Sequence, residues 1–180
     1  MLCNSGSASP VLERCIFKHR ASGVYLVADA YEGSQIRAAV IDFLSAAAGR
    51  DSKNVSLKEN KADFAIRTGG ADLVVYVGHD GFMDFQVPPV VAEKGTGRRQ
   101  VIVLACASKS YFGPYLKQTG AKPILWTTGL MAPEAYTLKA AIDGWIAGEP
   151  NDQIQLRAAQ AYNKYQKCGE RAALRLLVSD

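Results

Sequence analysis

Two residues able to do covalent chemistry stand at the ends of two short apolar runs. His79 closes Asp72-Leu-Val-Val-Tyr-Val-Gly-His79, and Cys106 closes Val101-Ile-Val-Leu-Ala-Cys106. If both runs are parallel neighbours in one sheet, an imidazole and a thiol emerge together at its carboxyl edge, where open α/β sheets bind ligands. A thiol beside an imidazole is the minimum equipment for nucleophilic acyl transfer. Cys106 is followed by Ala107-Ser-Lys-Ser110 and an expected helix, whose positive dipole end favours a thiolate. Gly78 and Gly81 flank His79 and permit a sharp exit and close backbone approach by a ligand. Each residue also has a structural alternative: Cys106 as a small buried filler, His79 as a polar cap on a strand end.

Other chemistries lack their residues. Phe112 stands where a Cys-x5-Arg phosphatase loop needs arginine. Neither a Gly-x-Ser-x-Gly elbow nor a Gly-x4-Gly-Lys-Ser/Thr loop is present, and no Gly-x-Gly-x-x-Gly follows a strand. Cys3, Cys15, Cys106 and Cys168 include no Cys-x-x-Cys pair, and only His19 and His79 are available as imidazole ligands. The reading is no metal site, no cofactor and no disulfide framework, with a reducing, cytoplasmic setting as the default.

Composition sets the frame. With 180 residues, 48% hydrophobic, 21% charged and a mean hydropathy of −0.04, the chain is expected to be one ordinary soluble domain. No apolar run reaches the ~18 residues of a membrane span. The net charge of +4 is spread out, its densest spot being Arg98-Arg99, without a basic stripe and interleaved aromatics, so nucleic acid is not an expected partner. Residues 1–10 lack the basic start and apolar middle of a signal peptide and read as a disordered leader to a single α/β domain over 11–180.

The elements that must position the pair follow from pattern. Residues 11–18 and 23–28 read as a β-hairpin turning at Gly23. Ile36, Ala39, Val40, Phe43, Leu44 and Ala47 form a helical stripe capped by Ser34 and closed by Gly49. Val55 and Leu57, then Ala62, Phe64 and Ile66, alternate as a second small hairpin around Lys58–Lys61. Leu73–Val77 and Val101–Ala105 are continuous rather than alternating, the mark of strands buried on both faces. Pro88-Pro89 opens a short expected helix ending before Gly95. A helix capped by Ser108 or Ser110 runs to Gly120 with Pro114 in its first turn, and Pro123–Thr127 is a third interior strand. Helices then start at Pro133 and at Asn151 or Asp152, and a last one carries Ala173, Leu176 and Leu177. This order predicts a three-layer αβα sandwich with a mostly parallel central sheet and antiparallel hairpin additions. The hairpin start replaces an early βα unit, leaving a sheet edge that a second copy could cover as a homodimer.

Val74-Val-Tyr-Val-Gly-His79 and Val103-Leu-Ala-Cys-Ala-Ser108 resemble, in the same order, the two strand ends of the caspase-like cysteine peptidases, the group of caspases, legumains, clostripain and gingipains. The resemblance spans about residues 24–130 by element order, its motifs about a dozen. It implies Cys106 as nucleophile, His79 as proton-transfer partner, and the backbone N–H groups of Cys106 and of the residue after His79 as oxyanion donors. That residue is Asp80, where the family usually has glycine; Gly81 takes over the role if the turn is shifted. The short connection between the strands implies reduced specificity loops. Two outcomes stay open: a peptidase-type hydrolase, or a non-catalytic domain of that fold binding a small ligand or protein partner in the same cleft.

Further groups are placed to line that edge: Asp29 and Glu32, Asp84, Ser108, Tyr111, Thr127 and Thr128, Met131 and Glu134. Each also reads as a cap, a surface group or, for Tyr111 and Met131, core packing.

Overall fold

The computed structural model describes the chain apart from residues 1, 6–9, 51–53, 60–61 and 93–98. It is a mixed α/β structure with three sheets. The first is antiparallel: β1 (Leu2–Ser5), β2 (Val11–Lys18) and β3 (Tyr25–Tyr31). Gly23 takes the turn at φ +73. The leader expected over 1–10 is therefore corrected at Leu2–Ser5, which pair with β2. A Gly33–Gln35 3-10 turn precedes α1 (Ile36–Ala47), so Ser34 sits inside a turn and does not cap the helix. The hairpin of β4 (Asn54–Glu59) and β5 (Ala62–Arg67) forms its own two-stranded sheet.

The third sheet carries the chemistry. β6 (Leu73–Val77), β7 (Gln100–Leu104) and β8 (Lys122–Thr127) run parallel, and β9 (Leu177–Val178) adds antiparallel to β8. Its order is β6-β7-β8-β9. The hairpins expected as additions to it lie in separate sheets, and among the described residues β6 has a strand on one side only. α2 (Ser108–Thr119), α3 (Ala135–Ile146), α4 (Asn151–Gln166) and α5 (Glu170–Leu176) complete the chain. Pro114 lies in the second turn of α2, not the first, so the Ser110 carbonyl loses its helical donor. The helix expected after Pro88-Pro89 is absent over residues 86–92; Ala92 instead donates to the Gln118 carbonyl at 3.1 Å. Arg98 and residues 60–61 of the expected Lys58–Lys61 turn fall outside the described residues, whereas Arg99 donates to the Gly69 carbonyl.

The interior runs explain themselves through alternation. Val101 and Val103 pack with Val40, Phe43 and Leu44 of α1 and Phe112 and Leu116 of α2. Ile102 and Leu104 pack with Ala141 of α3, Ile154, Ala158 and Tyr162 of α4, and Ala173 of α5. Val101 to Leu104, four of the five β7 residues, are fully buried, which is why the run is continuously apolar. Phe112 sits at the centre of an aromatic cluster, 4.7 Å from the Phe82 ring centroid, 5.2 Å from Tyr76 and 5.8 Å from Phe43.

The cysteine expectation is corrected in part. Cys106 and Cys168 are free, but Cys15 is disulfide-bonded, and it lies across from Cys3 in the β1–β2 register. Cysteine spacing does not reveal such a bond, because cross-strand proximity is set by register and not by sequence distance. Among the described residues no helix is long and apolar enough to cross a membrane.

The aromatic cluster gives a first prediction. Phe112→Ala should cost ~3–5 kcal/mol of stability in urea titrations, while Leu12→Ala, at 55% exposure, should change it by less than ~0.5 kcal/mol. Equal effects at the two positions would contradict the assignment of the core.

Candidate functional site

The β6–β7 register decides where His79 and Cys106 go. Val77 is level with Leu104, and the ladder continues with Gly78 N–H donating to the Leu104 carbonyl at 3.1 Å. Two residues further along both chains stand His79 and Cys106. The two side chains therefore leave adjacent parallel strand ends, spaced ~4.8 Å apart as neighbouring strands are. They are not hydrogen-bonded to each other.

On the His79 side, the chain leaves the sheet through Gly78 at φ +155, a conformation that side chains rarely adopt. The Tyr76 hydroxyl donates to the His79 carbonyl at 2.8 Å. A 3-10 turn over Gly81–Met83 follows, and Asp80 Oδ1 accepts from the Phe82 N–H at 3.0 Å. Phe82 stacks on Tyr115 with centroids 4.0 Å apart. A Cβ on Gly81 would lie 2.6 Å from Phe85, so no larger residue fits without displacing that ring. The loop ends with Asp84 N–H donating to the Gly81 carbonyl at 3.1 Å, and the Asp84 side chain returns to His79, Oδ2 to Nε2 at 2.6 Å. Both side chains of that pair are more than half exposed.

Asp80 is buried in full, and its Oδ2 has no hydrogen-bond partner among the described residues. Burial pushes its carboxyl up to about 6; the Asp84 charge adds to the rise, while the Phe82 N–H and His79 oppose it. Tyr76 is pushed up to about 12, chiefly by burial and further by Asp80. Asp80 thus lies under the loop, not in an open cleft.

On the Cys106 side, the thiol is half-buried and faces the backbone of Met131. Its S–H is placed to donate to the Met131 carbonyl at 3.6 Å, and Met131 N–H donates to Sγ at 3.4 Å. Ala107 then takes a left-handed conformation at φ +48 and caps α2. Its N–H donates to the Gly129 carbonyl at 2.8 Å. Beneath this turn, Ser108 and Thr127 form a buried hydroxyl clamp. Ser108 Oγ donates to the Val103 carbonyl at 2.9 Å and accepts from Thr127 N–H at 3.0 Å. Thr127 Oγ1 accepts from Ser108 N–H at 3.1 Å and donates to the Ala105 carbonyl. The clamp joins the ends of β7 and β8 to the start of α2 and so fixes the Cys106 backbone.

The N–H groups of Cys106, Asp80 and Gly81, the three expected oxyanion donors, have no protein acceptor among the described residues. Asp84 and Met131 join His79 and Cys106 directly. Ser108 and Thr127 are fully buried and act behind the edge rather than lining it. Asp29 is engaged in a two-pronged ion pair with Arg14 at 2.5 and 2.6 Å within the β2–β3 sheet. Glu32 is exposed, with its N–H on the Pro10 carbonyl. Thr128 donates to the Arg175 carbonyl at 2.6 Å, tying the β8 exit to α5. Tyr111 is 39% exposed in the first turn of α2, and Glu134 is the exposed cap of α3. The Tyr76 anchor was not legible in the sequence, because Tyr76 breaks no pattern and carries no motif.

A cavity of about 400 Å³ lies elsewhere, between the β2–β3 turn and the end of α3, lined by His19, Ser22 and Asp143. Its polar groups already have partners: His19 Nδ1 with Ser22 Oγ at 2.7 Å, and Asp143 with Lys139 at 2.5 Å. The strand-end edge is the richer chemical surface.

No protein-family model, curated protein or solved structure matches this chain.

Asp80 yields a pH-dependent prediction. Its folded carboxyl, at about 6, titrates above the ordinary 3.8. A raised carboxyl binds its proton more tightly in the folded state, so burial is penalised fully above pH ~6 and not at all below ~3.8. Asp80→Asn, which keeps the acceptor for Phe82, should therefore stabilise the fold by ~2–3 kcal/mol at pH 8, with the gain shrinking between pH ~6 and ~4. Chemical denaturation across that range measures it; a pH-independent difference, or a destabilised variant, would contradict the burial of a bare carboxylate.

Proposed function

We propose that the chain is a caspase-like cysteine hydrolase whose mixed sheet and flanking helices form a three-layer αβα sandwich. The observation that carries this reading is the β6–β7 register, in which His79 and Cys106 follow adjacent strand ends beside three backbone N–H groups without acceptors among the described residues. In the reaction, His79 takes the Cys106 proton and Sγ bonds to the acyl carbon of a peptide or related substrate. The carbonyl electrons move to oxygen, which the N–H groups of Cys106 and of Asp80 or Gly81 stabilise. The oxyanion collapses, the bond to the leaving amine breaks, and the amine departs with the proton held by His79. Water, giving a proton to His79, then attacks the thioester; the acid leaves and the thiol regains its proton. No cofactor enters these steps.

The backbone of Met131 favours a second reading. It engages the thiol through both N–H and carbonyl, so the same edge also suits a domain that binds a peptide or small ligand without cleaving it. The substrate must displace this contact in the first reading and leaves it intact in the second.

A peptidyl chloromethyl ketone separates the two, with adducts located by mass spectrometry. Cys168, free and exposed, serves as an internal reference thiol. The hydrolase reading predicts that Cys106 is alkylated faster than Cys168 and that His79→Ala slows Cys106 alone, by ~100-fold or more. Cys106 reacting more slowly than Cys168, or at an unchanged rate in His79→Ala, would sink it.

A further inference from the structure

We infer that Asp84 is the positioning residue of this site: it holds His79 as the Nε2–H tautomer and turns Nδ1 toward Cys106. The inference rests on the hydrolase reading above and adds which nitrogen works and what aims it.

The first argument is hydrogen-bond chemistry. His79 Nε2 lies 2.6 Å from Asp84 Oδ2. A carboxylate accepts and cannot donate, so the proton of a neutral ring resides on Nε2 and the lone pair on Nδ1. The second is reach. Nδ1 is bonded to the ring carbon that carries the side chain, so it is the nitrogen nearer the strand from which His79 emerges. Nε2 is the distal nitrogen, and here it points outward to an exposed partner. A neighbouring strand end ~4.8 Å away is served by the proximal nitrogen.

The third argument is that Asp84 is held where it is. The loop from His79 to Phe85 is pinned by the Tyr76 hydroxyl, the Asp80 acceptor and the stacking of Phe82 on Tyr115. Met83, Asp84 and Phe85 each donate a backbone hydrogen bond into the Asp80–Gly81 turn. Such fixation is not explained by the stability of the His79–Asp84 contact itself, because a contact this exposed adds little. Its effect is on geometry: a base oriented by a third group is the arrangement that nucleophilic sites use. When Nδ1 takes the thiol proton, the ring becomes an imidazolium whose charge faces the Asp84 carboxylate.

Two readouts on the full chain test this, one independent of reactivity. Nitrogen-15 NMR of the neutral histidine ring should show His79 as a single Nε2–H tautomer, and as a mixture in Asp84→Ala. Chloromethyl ketone labelling of Cys106 should slow ~10-fold or more in Asp84→Ala and recover most of its rate in Asp84→Glu. A proton on Nδ1 in the wild type, or an Asp84→Ala protein with the wild-type tautomer and rate, overturns the inference. Labelling that depends on His79 but not on Asp84 removes the positioning role and leaves the hydrolase reading standing. Labelling indifferent to both removes both, whatever the tautomer.

Discussion

The parallel ladder between β6 and β7 is the constraint on which the site depends. Five consecutive pairs, from Leu73 with Gln100 to Val77 with Leu104, leave no freedom in how the two strand ends meet. A slip of one residue would exchange the faces of β6, sending Val74 and Tyr76 away from α1 and Leu73 and Val75 toward it. The register is held by burial on both sides of β7, where Val101 and Val103 belong to one cluster and Ile102 and Leu104 to the other. Packing of the interior thus fixes which adjacent strand ends carry His79 and Cys106, although neither residue belongs to the core.

The two ends are then stiffened in different ways. Cys106 stands on a polar clamp: Ser108 and Thr127 satisfy each other and the carbonyls of Val103 and Ala105 with no exposure at all. A buried network with its groups satisfied rigidifies a site at little cost. His79 stands on a loop that carries an unfavourable element, since Asp80 buries one carboxylate oxygen without a partner among the described residues. The left-handed Ala107 is a second local cost, of about 1–2 kcal/mol. Both lie within one residue of the proposed pair. Strain and unpaired polarity concentrated beside two reactive side chains fit a site held for geometry over stability.

Much of the frame was legible in the sequence. The unbroken apolar runs of β7 and β8 announced interior strands, and the stripe from Ile36 to Ala47 announced α1, because burial on two faces and on one face write different patterns. The run of β6 overstated its burial: among the described residues it has a strand on one side only, and Val77 is exposed. Local signals failed where tertiary structure decides. Leu2–Ser5 is a strand because β2 accepts it, not because its own residues demand it. The Pro88-Pro89 segment had a helix-start signal, but residues 86–92 form no helix, and Ala92 bonds to Gln118 in α2 instead. At the site, the strand-end pair was readable from run length and order. The burial of Asp80, the turn of Asp84 back to His79 and the inward role of Ser108 and Thr127 were not. Those depend on the path of a loop and on which side of a turn a hydroxyl falls.

The central claim is that Cys106 and His79 form one acyl-transfer edge with backbone donors around it. A crystal structure of the protein with a peptide aldehyde tests this most directly, since a thiol adds to an aldehyde to give a hemithioacetal resembling the tetrahedral intermediate. The account predicts a bond from Cys106 Sγ to the aldehyde carbon, with the Met131 contact released. The new oxygen should lie about 3 Å from the N–H groups of Cys106 and of Asp80 or Gly81, and His79 Nδ1 should face it. An unmodified Cys106 still held by Met131, with the His79 ring turned away from it, would contradict the claim.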